Sequence, residues 1–141
     1  MEKLYQSFVW QDRFLVGHRE IDDDHRRFFA YFSDQDGRRQ KPLDSAGSEA
    51  LFLAIVEDLR RHVIAEERIL EELGFPGLGE HRNCHLALWE QVRATKAIGA
   101  KGGWGSALRL LSTHILEHVV IEDAVFRPYL LALNAADATA A

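Results

Sequence analysis

The chain has one cysteine, Cys84, in 141 residues. That excludes an intramolecular disulfide framework and any zinc site built from a thiolate cluster, and it suits a reducing compartment. It also lacks an excess of basic charge: 17 Lys and Arg stand against 22 Asp and Glu, for a net charge of −5. Nucleic acid is therefore not an expected partner, since phosphate binding needs a basic surface. Long apolar runs are missing as well. The opening MEKLYQSFVWQDRF has neither a signal peptide's apolar stretch nor a membrane span, so the expected location is cytoplasmic. No internal repeat stands out. What remains is 47% hydrophobic and 28% charged residues, a balance that makes one ordinary globular domain with a real core.

The histidines carry the pattern. His62 and Glu66 are four apart, and so are His81 and His85. Residues at i and i+4 lie one above the other on a helix face, so each pair can converge on one point. Between the pairs, Gly74-Phe75-Pro76-Gly77 stops one helix and lets another return beside it. Single histidines on apolar faces are usually satisfied core residues. Two such pairs on consecutive helices favour metal, which supplies the partners that buried imidazoles and carboxylates need.

Apolar spacing predicts four helices. The first begins near Ile21, carries His25, Phe28, Phe29 and Phe32, and ends near Asp36-Gly37. A polar loop follows over 37–47. The second starts near Ser48 with a stripe of Ile55, Leu59, His62, Glu66, Ile69 and Leu73. The third runs from about Gly79 to Ile98 with His81, His85, Leu88 and Val92 on one face, and Gly99 to Gly105 forms the next turn. The fourth runs from about Ser106 to Leu133 with a stripe of Leu111, His114, His118, Ile121 and Val125; Pro128 bends it or marks its last turns. The expected fold is all-α, an up-down-up-down four-helix bundle over about 18–133. An N-terminal arm occupies about 1–17, with Tyr5, Phe8, Trp10 and Phe14 packed on the body. A frayed tail occupies about 134–141, the whole being one domain.

Six of the seven histidines (25, 62, 81, 85, 114 and 118) fall on inward stripes; His18 lies outside them. If His25, His62, His81, His85 and His118 meet with Glu66 in one layer, five imidazoles exceed what one tetrahedral ion can use. Two metals bridged by carboxylates are the natural solution, and the ligand type suits iron, manganese, zinc or copper. Cys84 precedes His85 by one residue, points about 100° away, and reads as a packed thiol. Asp22 to Asp24, Glu67 and Glu71 read as a solvated face or as groups behind the ligands.

The chain resembles the hemerythrins, the bacterial ones in particular, over nearly its full length. The matching motifs are W10…F14-L-V-G17…I21-D-D-D-H25, H62-xxx-E66-E67, G74-F-P76, H81-xxx-H85 and H118-xxxx-D123. The resemblance implies a non-haem di-iron centre. In it His81, His85 and His118 bind one iron and His25 and His62 the other, while Glu66 and Asp123 bridge them with an oxo or hydroxo group. The two-histidine iron keeps a position open for dioxygen. One spacing strains this. His118 and Asp123 are five apart, about 140° round an ideal helix, so geometry alone favours Glu122 as the bridge; the resemblance favours Asp123.

Two departures matter. The family commonly has tryptophan where this chain has His114, and an apolar residue where it has His18. The pocket implied beside the open iron comprises Phe28, Val63, His114, Ile115 and Val119. His114 admits three roles: a core histidine, an extra ligand, or a donor in the pocket wall, the last being our expectation. His18 is expected to be peripheral. The leading function is reversible binding of dioxygen for storage, delivery or sensing, with an unidentified redox or signalling partner. A di-iron enzyme acting on dioxygen, peroxide or nitric oxide competes with it on the strength of His114. The third reading is a non-catalytic metal-binding bundle.

Overall fold

The computed structural model of the chain describes residues 9–33 and 43–140. It is an all-α bundle. Helix α1 is Arg19–Ser33, α2 is Ser45–Glu72, α3 is Leu78–Ala100, α4 is Trp104–Glu117 and α5 is Arg127–Ala140. A π turn, His118–Glu122, and a 3-10 turn, Asp123–Val125, join α4 to α5. No helix among the described residues is long and apolar enough to cross a membrane.

Local chemistry sets the helix ends. Asp44 caps α2 by accepting from the Gly47 N–H at 2.7 Å, which satisfies one of the free donors of the first turn and starts the helix three residues before the expected Ser48. At its other end the Phe75 N–H reaches Leu70 O at 2.9 Å and the Gly74 N–H reaches Glu71 O at 3.0 Å. This is a Schellman closure, and it needs the left-handed φ of +71° that Gly74 adopts. The turn between α3 and α4 closes the same way, with Gly103 N–H on Ile98 O and Gly102 N–H on Gly99 O. It is shorter than the expected Gly99–Gly105. Gly99 stays helical, and the Trp104 ring lies so close to it that a Cβ would come within 2.2 Å of the indole, so the position excludes a side chain.

Two apolar clusters fill the bundle. One contains Phe28, Phe29, Phe52, Ile55, Leu59, Val63, Leu88, Leu111, Ile115 and Val119. The other contains Val16, Ile21, Ile69, Leu70, Phe126 and Leu130. Along α2, Val63 belongs to the first and Ile69 to the second, so His62 and Glu66 mark the boundary between them. His25 lies likewise between Ile21 and Phe28. A polar layer thus crosses the bundle between two dry regions.

Several expectations need correction. The single fourth helix is broken, and Ile121 and Val125, placed on its inward stripe, are 61% and 66% exposed. Beyond the π turn the inward residues are Asp123, Phe126 and Leu130. Pro128 sits in the first turn of α5, where a missing N–H costs nothing, rather than at the end of a longer helix. The described part of the expected tail is helical to Ala140, with Asn134 donating to Gly17 O at 2.8 Å. In the arm, Trp10 and Phe14 pack on Phe29, whereas Tyr5, Phe8 and the expected end of the first helix near Asp36-Gly37 lie outside the described residues.

Candidate metal centre

The layer between the clusters gathers all seven residues expected as ligands. Two groups of potential donors converge there, each with its ligand atoms within 4.8 Å of one another. One is Glu66, His81, His85, His118 and Asp123; the other is His25, His62, Glu66 and Asp123. Each is buried.

The two carboxylates face both groups, one oxygen to each. On the three-histidine side, Glu66 Oε1 lies 2.7 Å from His81 Nε2 and 3.1 Å from His85 Nε2, while Asp123 Oδ1 lies 3.0 Å from both His81 and His118 Nε2. On the two-histidine side, Glu66 Oε2 lies 2.9 Å from His62 Nε2 and 3.4 Å from His25 Nε2, and Asp123 Oδ2 lies 3.0 Å from His25 Nε2.

These donors fit metal ions better than they fit one another. Nε2 of His25, His62 and His118, Oε2 of Glu66 and both oxygens of Asp123 are buried with no hydrogen-bond partner among the described residues. Each such atom costs roughly 1–3 kcal/mol when left unpaired. They are near enough for hydrogen bonds but off the direction one requires. Donors around a common ion have that arrangement: with bonds of about 2.1 Å, neighbouring ligands at right angles stand about 3 Å apart.

Backbone geometry explains Asp123. The Asp123 N–H bonds to His118 O, five residues back, and a π turn pairs residues at that spacing. His118 and Asp123 therefore share a face that an ideal α-helix would deny them. Glu122 points elsewhere and accepts from the Cys84 thiol at 3.2 Å. Burial and then the neighbouring Glu122 push that thiol up to about 11, and the half-buried side chain is outside both donor groups.

Carboxylates behind two of the histidines fix their tautomers. His62 Nδ1–H donates to Asp24 at 2.8 Å and His85 Nδ1–H to Glu67 at 2.7 Å, which turns each Nε2 inward. The sequence leaves both acids open between a solvated face and groups behind the ligands, and pairs neither with a particular histidine. The available signal was position: Asp24 adjoins His25 and Glu67 adjoins Glu66.

Without an ion the charges in the layer shift one another. Burial opposes a charge on His62, but Glu66 and then Asp24 outweigh it and raise the imidazole to about 10. Burial likewise opposes His81, and Asp123 and Glu66 raise it to about 10. Burial would lift the Glu66 carboxyl, yet His62 and His25 hold it well below its usual range. Asp123 is also held down, with His118 and His25 overcoming burial and the nearby Glu66.

Phe28, Val63, Ile115 and Val119 are buried together in the first apolar cluster, and Phe28 meets the His62 ring edge-on at 5.5 Å between centroids. His114 is set apart from them. It is half-buried, belongs to neither donor group, and lines a cavity of about 190 Å³ with Cys84, Leu88, Gln91, Glu117 and His118. None of those four apolar side chains lines that cavity. His18 is also outside both groups and lines a cavity with Glu72, Leu73 and Leu130.

Residues 16–130 match the family model described as the hemerythrin HHE cation binding domain. The chain is 24% identical over 90 residues to a protein named myohemerythrin from Riftia pachyptila, covering 64% of this chain and 69% of that one. It is 22% identical over 120 residues to hemerythrin-like proteins of Naegleria gruberi and Naegleria fowleri, covering 85% of this chain and 91% of each relative. No solved structure matches it.

Proposed function

The chain belongs to the hemerythrin family, and from that premise we propose that its polar layer holds two iron ions and binds dioxygen reversibly. The observation that carries this reading is the division of the carboxylate oxygens. Glu66 Oε1 and Asp123 Oδ1 face three imidazoles, and Glu66 Oε2 and Asp123 Oδ2 face two. His81, His85 and His118 would hold one ion, His25 and His62 the other, with both carboxylates bridging. The side with fewer imidazoles would leave its ion a position for an outside ligand. When bound, a pair of ferrous ions supplies the electrons that let dioxygen bind and leave unchanged.

The chain's own part is to position and to exclude. Asp24 and Glu67 keep the Nδ1 protons of His62 and His85 turned outward. Phe28, against the His62 ring, and the buried Val63, Ile115 and Val119 of the same apolar cluster would help to keep water from the centre, and a dry site suppresses proton-assisted loss of the bound ligand. An enzyme acting on dioxygen, peroxide or nitric oxide would want a proton donor in that wall, and its best candidate, His114, lines a cavity beside His118 that includes neither His25 nor His62.

The test is to load the protein with iron without air, admit oxygen, and follow the visible spectrum. A new absorption that persists and disappears on deoxygenation supports reversible binding. Rapid decay coupled to turnover of a co-substrate supports an enzyme. Failure to take up two irons per chain refutes the reading.

A further inference from the structure

Asp58 is a buried carboxylate, 2% exposed, that is no part of either donor group. It sits on α2 one turn before His62 and is gripped by a fork: Arg27 Nε donates to its Oδ2 at 2.7 Å, and an Arg27 terminal nitrogen donates to its Oδ1 at 3.1 Å. That same terminal nitrogen donates to Asp24 Oδ1 at 2.7 Å. The other oxygen of Asp24 accepts from His62 Nδ1 at 2.8 Å. A continuous chain of hydrogen bonds thus runs from Asp58 through Arg27 and Asp24 to one imidazole of the two-histidine side.

The three-histidine side has a looser counterpart. His85 Nδ1 donates to Glu67, and Arg82 donates to Glu67 at 3.1 Å. Arg82's further partner is Glu71 at 3.3 Å, whose side chain is 69% exposed. Arg27 is therefore anchored in the interior, and Arg82 only at the surface. Exposed ion pairs contribute little and hold geometry poorly. A planar guanidinium bound at two points fixes direction, which an ammonium cannot. Stability gives no reason to bury Asp58, since apolar residues of similar volume do as well or better than a buried ion pair.

We propose that Asp58 is a positioning residue for the two-histidine side of the centre, acting through Arg27 and Asp24 to hold the His62 ring. Asp58 fixes the Arg27 fork, the fork fixes Asp24, and Asp24 keeps the His62 proton on Nδ1 with Nε2 turned inward. The inference rests on the metal reading above for its consequence, but its geometry does not require dioxygen.

The experiment compares the parent with Asp58→Asn, which keeps the shape but cannot hold the fork, and with Arg27→Lys, a change at a half-exposed position. Two readouts are taken. Nitrogen-15 NMR of the histidine rings follows the Nδ1–H of His62 and of His85, in metal-free and metal-loaded protein. Chelator challenge follows release of each of two bound ions. In both variants the His62 proton is expected to exchange about tenfold faster or more, with His85 unchanged. One of the two ions should be released about 10–100-fold faster, the range typical for groups behind a ligand. Arg82→Gln should instead move His85 alone.

Unchanged His62 exchange in both variants overturns the proposal. So does faster exchange at His62 and His85 alike with falling helicity, which would make Asp58 a general fold residue. A parent that holds two ions yet binds no dioxygen refutes the functional reading and leaves this one standing. A parent that takes up no metal is still judged by the metal-free exchange rates.

Discussion

Asp123 and Glu122 are adjacent carboxylates with different fates, and their difference decides what the fourth-helix segment contributes. Asp123 is fully buried with both oxygens turned to imidazoles. Glu122 is half-buried beside the Cys84 thiol. Asp123→Ala should therefore drop iron content below two per chain, whereas Glu122→Gln should keep two; elemental analysis after full reconstitution reads both. The reverse result would mean that the π turn does not exist in the loaded protein. His114 calls for a different measurement. A proton donor placed against a reacting ligand contributes about 10²–10⁴-fold, so His114→Gln should change the decay of the oxygenated form far less than that. The check is the decay rate of parent and variant between about pH 6 and about pH 8, where a histidine changes charge. A large, pH-dependent gap would place the ring on the dioxygen path after all.

At the scale of elements, the π turn also explains what the sequence concealed. His62, Glu66, His81 and His85 were legible because they sit at i and i+4 inside regular helices, where spacing alone assigns a face. His25 and the stripe around it were legible for the same reason. The inward stripe of the last segment was not. Beyond His118 and its buried neighbour Val119, the buried positions are Asp123, Phe126 and Leu130, spaced 5, 3 and 4 from His118, so one residue more than a helical repeat is accommodated locally. A 3.6-residue period carried past His118 lands on Ile121 and Val125, which face outward. Asp58 escaped notice because an acid between Ile55 and Leu59 reads as a surface residue until its partners are seen, Arg27 across the helices and Arg61 on the same helix. An insertion of this kind can be undone. Deleting the exposed Ile121 should turn the spacing into 4, 3 and 4, give a continuous helix, and keep two metals per chain. Deleting an exposed residue from a regular stretch, such as Leu110, should turn every later residue by about 100° and abolish binding. Metal content and far-UV circular dichroism of the two deletions separate these outcomes; loss of metal in both would show that the π turn itself is required.

For the whole molecule, the layer makes stability and metal content depend on pH in opposite senses. In the metal-free protein His62 and His81 are raised from an ordinary 6.5 to about 10. A group whose value is higher in the folded state contributes stability that is complete below its unfolded value and is lost as pH rises through the folded one. The metal-free protein should thus lose stability progressively between about pH 6.5 and about pH 10. Glu66 and Asp123 are depressed, so their contribution is present above the ordinary carboxylate range and lost on acidification. Metal ligation demands the reverse from the imidazoles. Each must give up its Nε2 proton, so uptake releases protons and affinity climbs with pH. Binding to the folded state alone adds its free energy to stability. The gap in melting temperature between loaded and metal-free protein should consequently widen from about pH 6 to about pH 8.5. Calorimetry of the two forms at three pH values reads it directly. A gap that stays constant would mean that His62 and His81 carry no extra proton in the metal-free layer, and that the carboxylates are paired some other way.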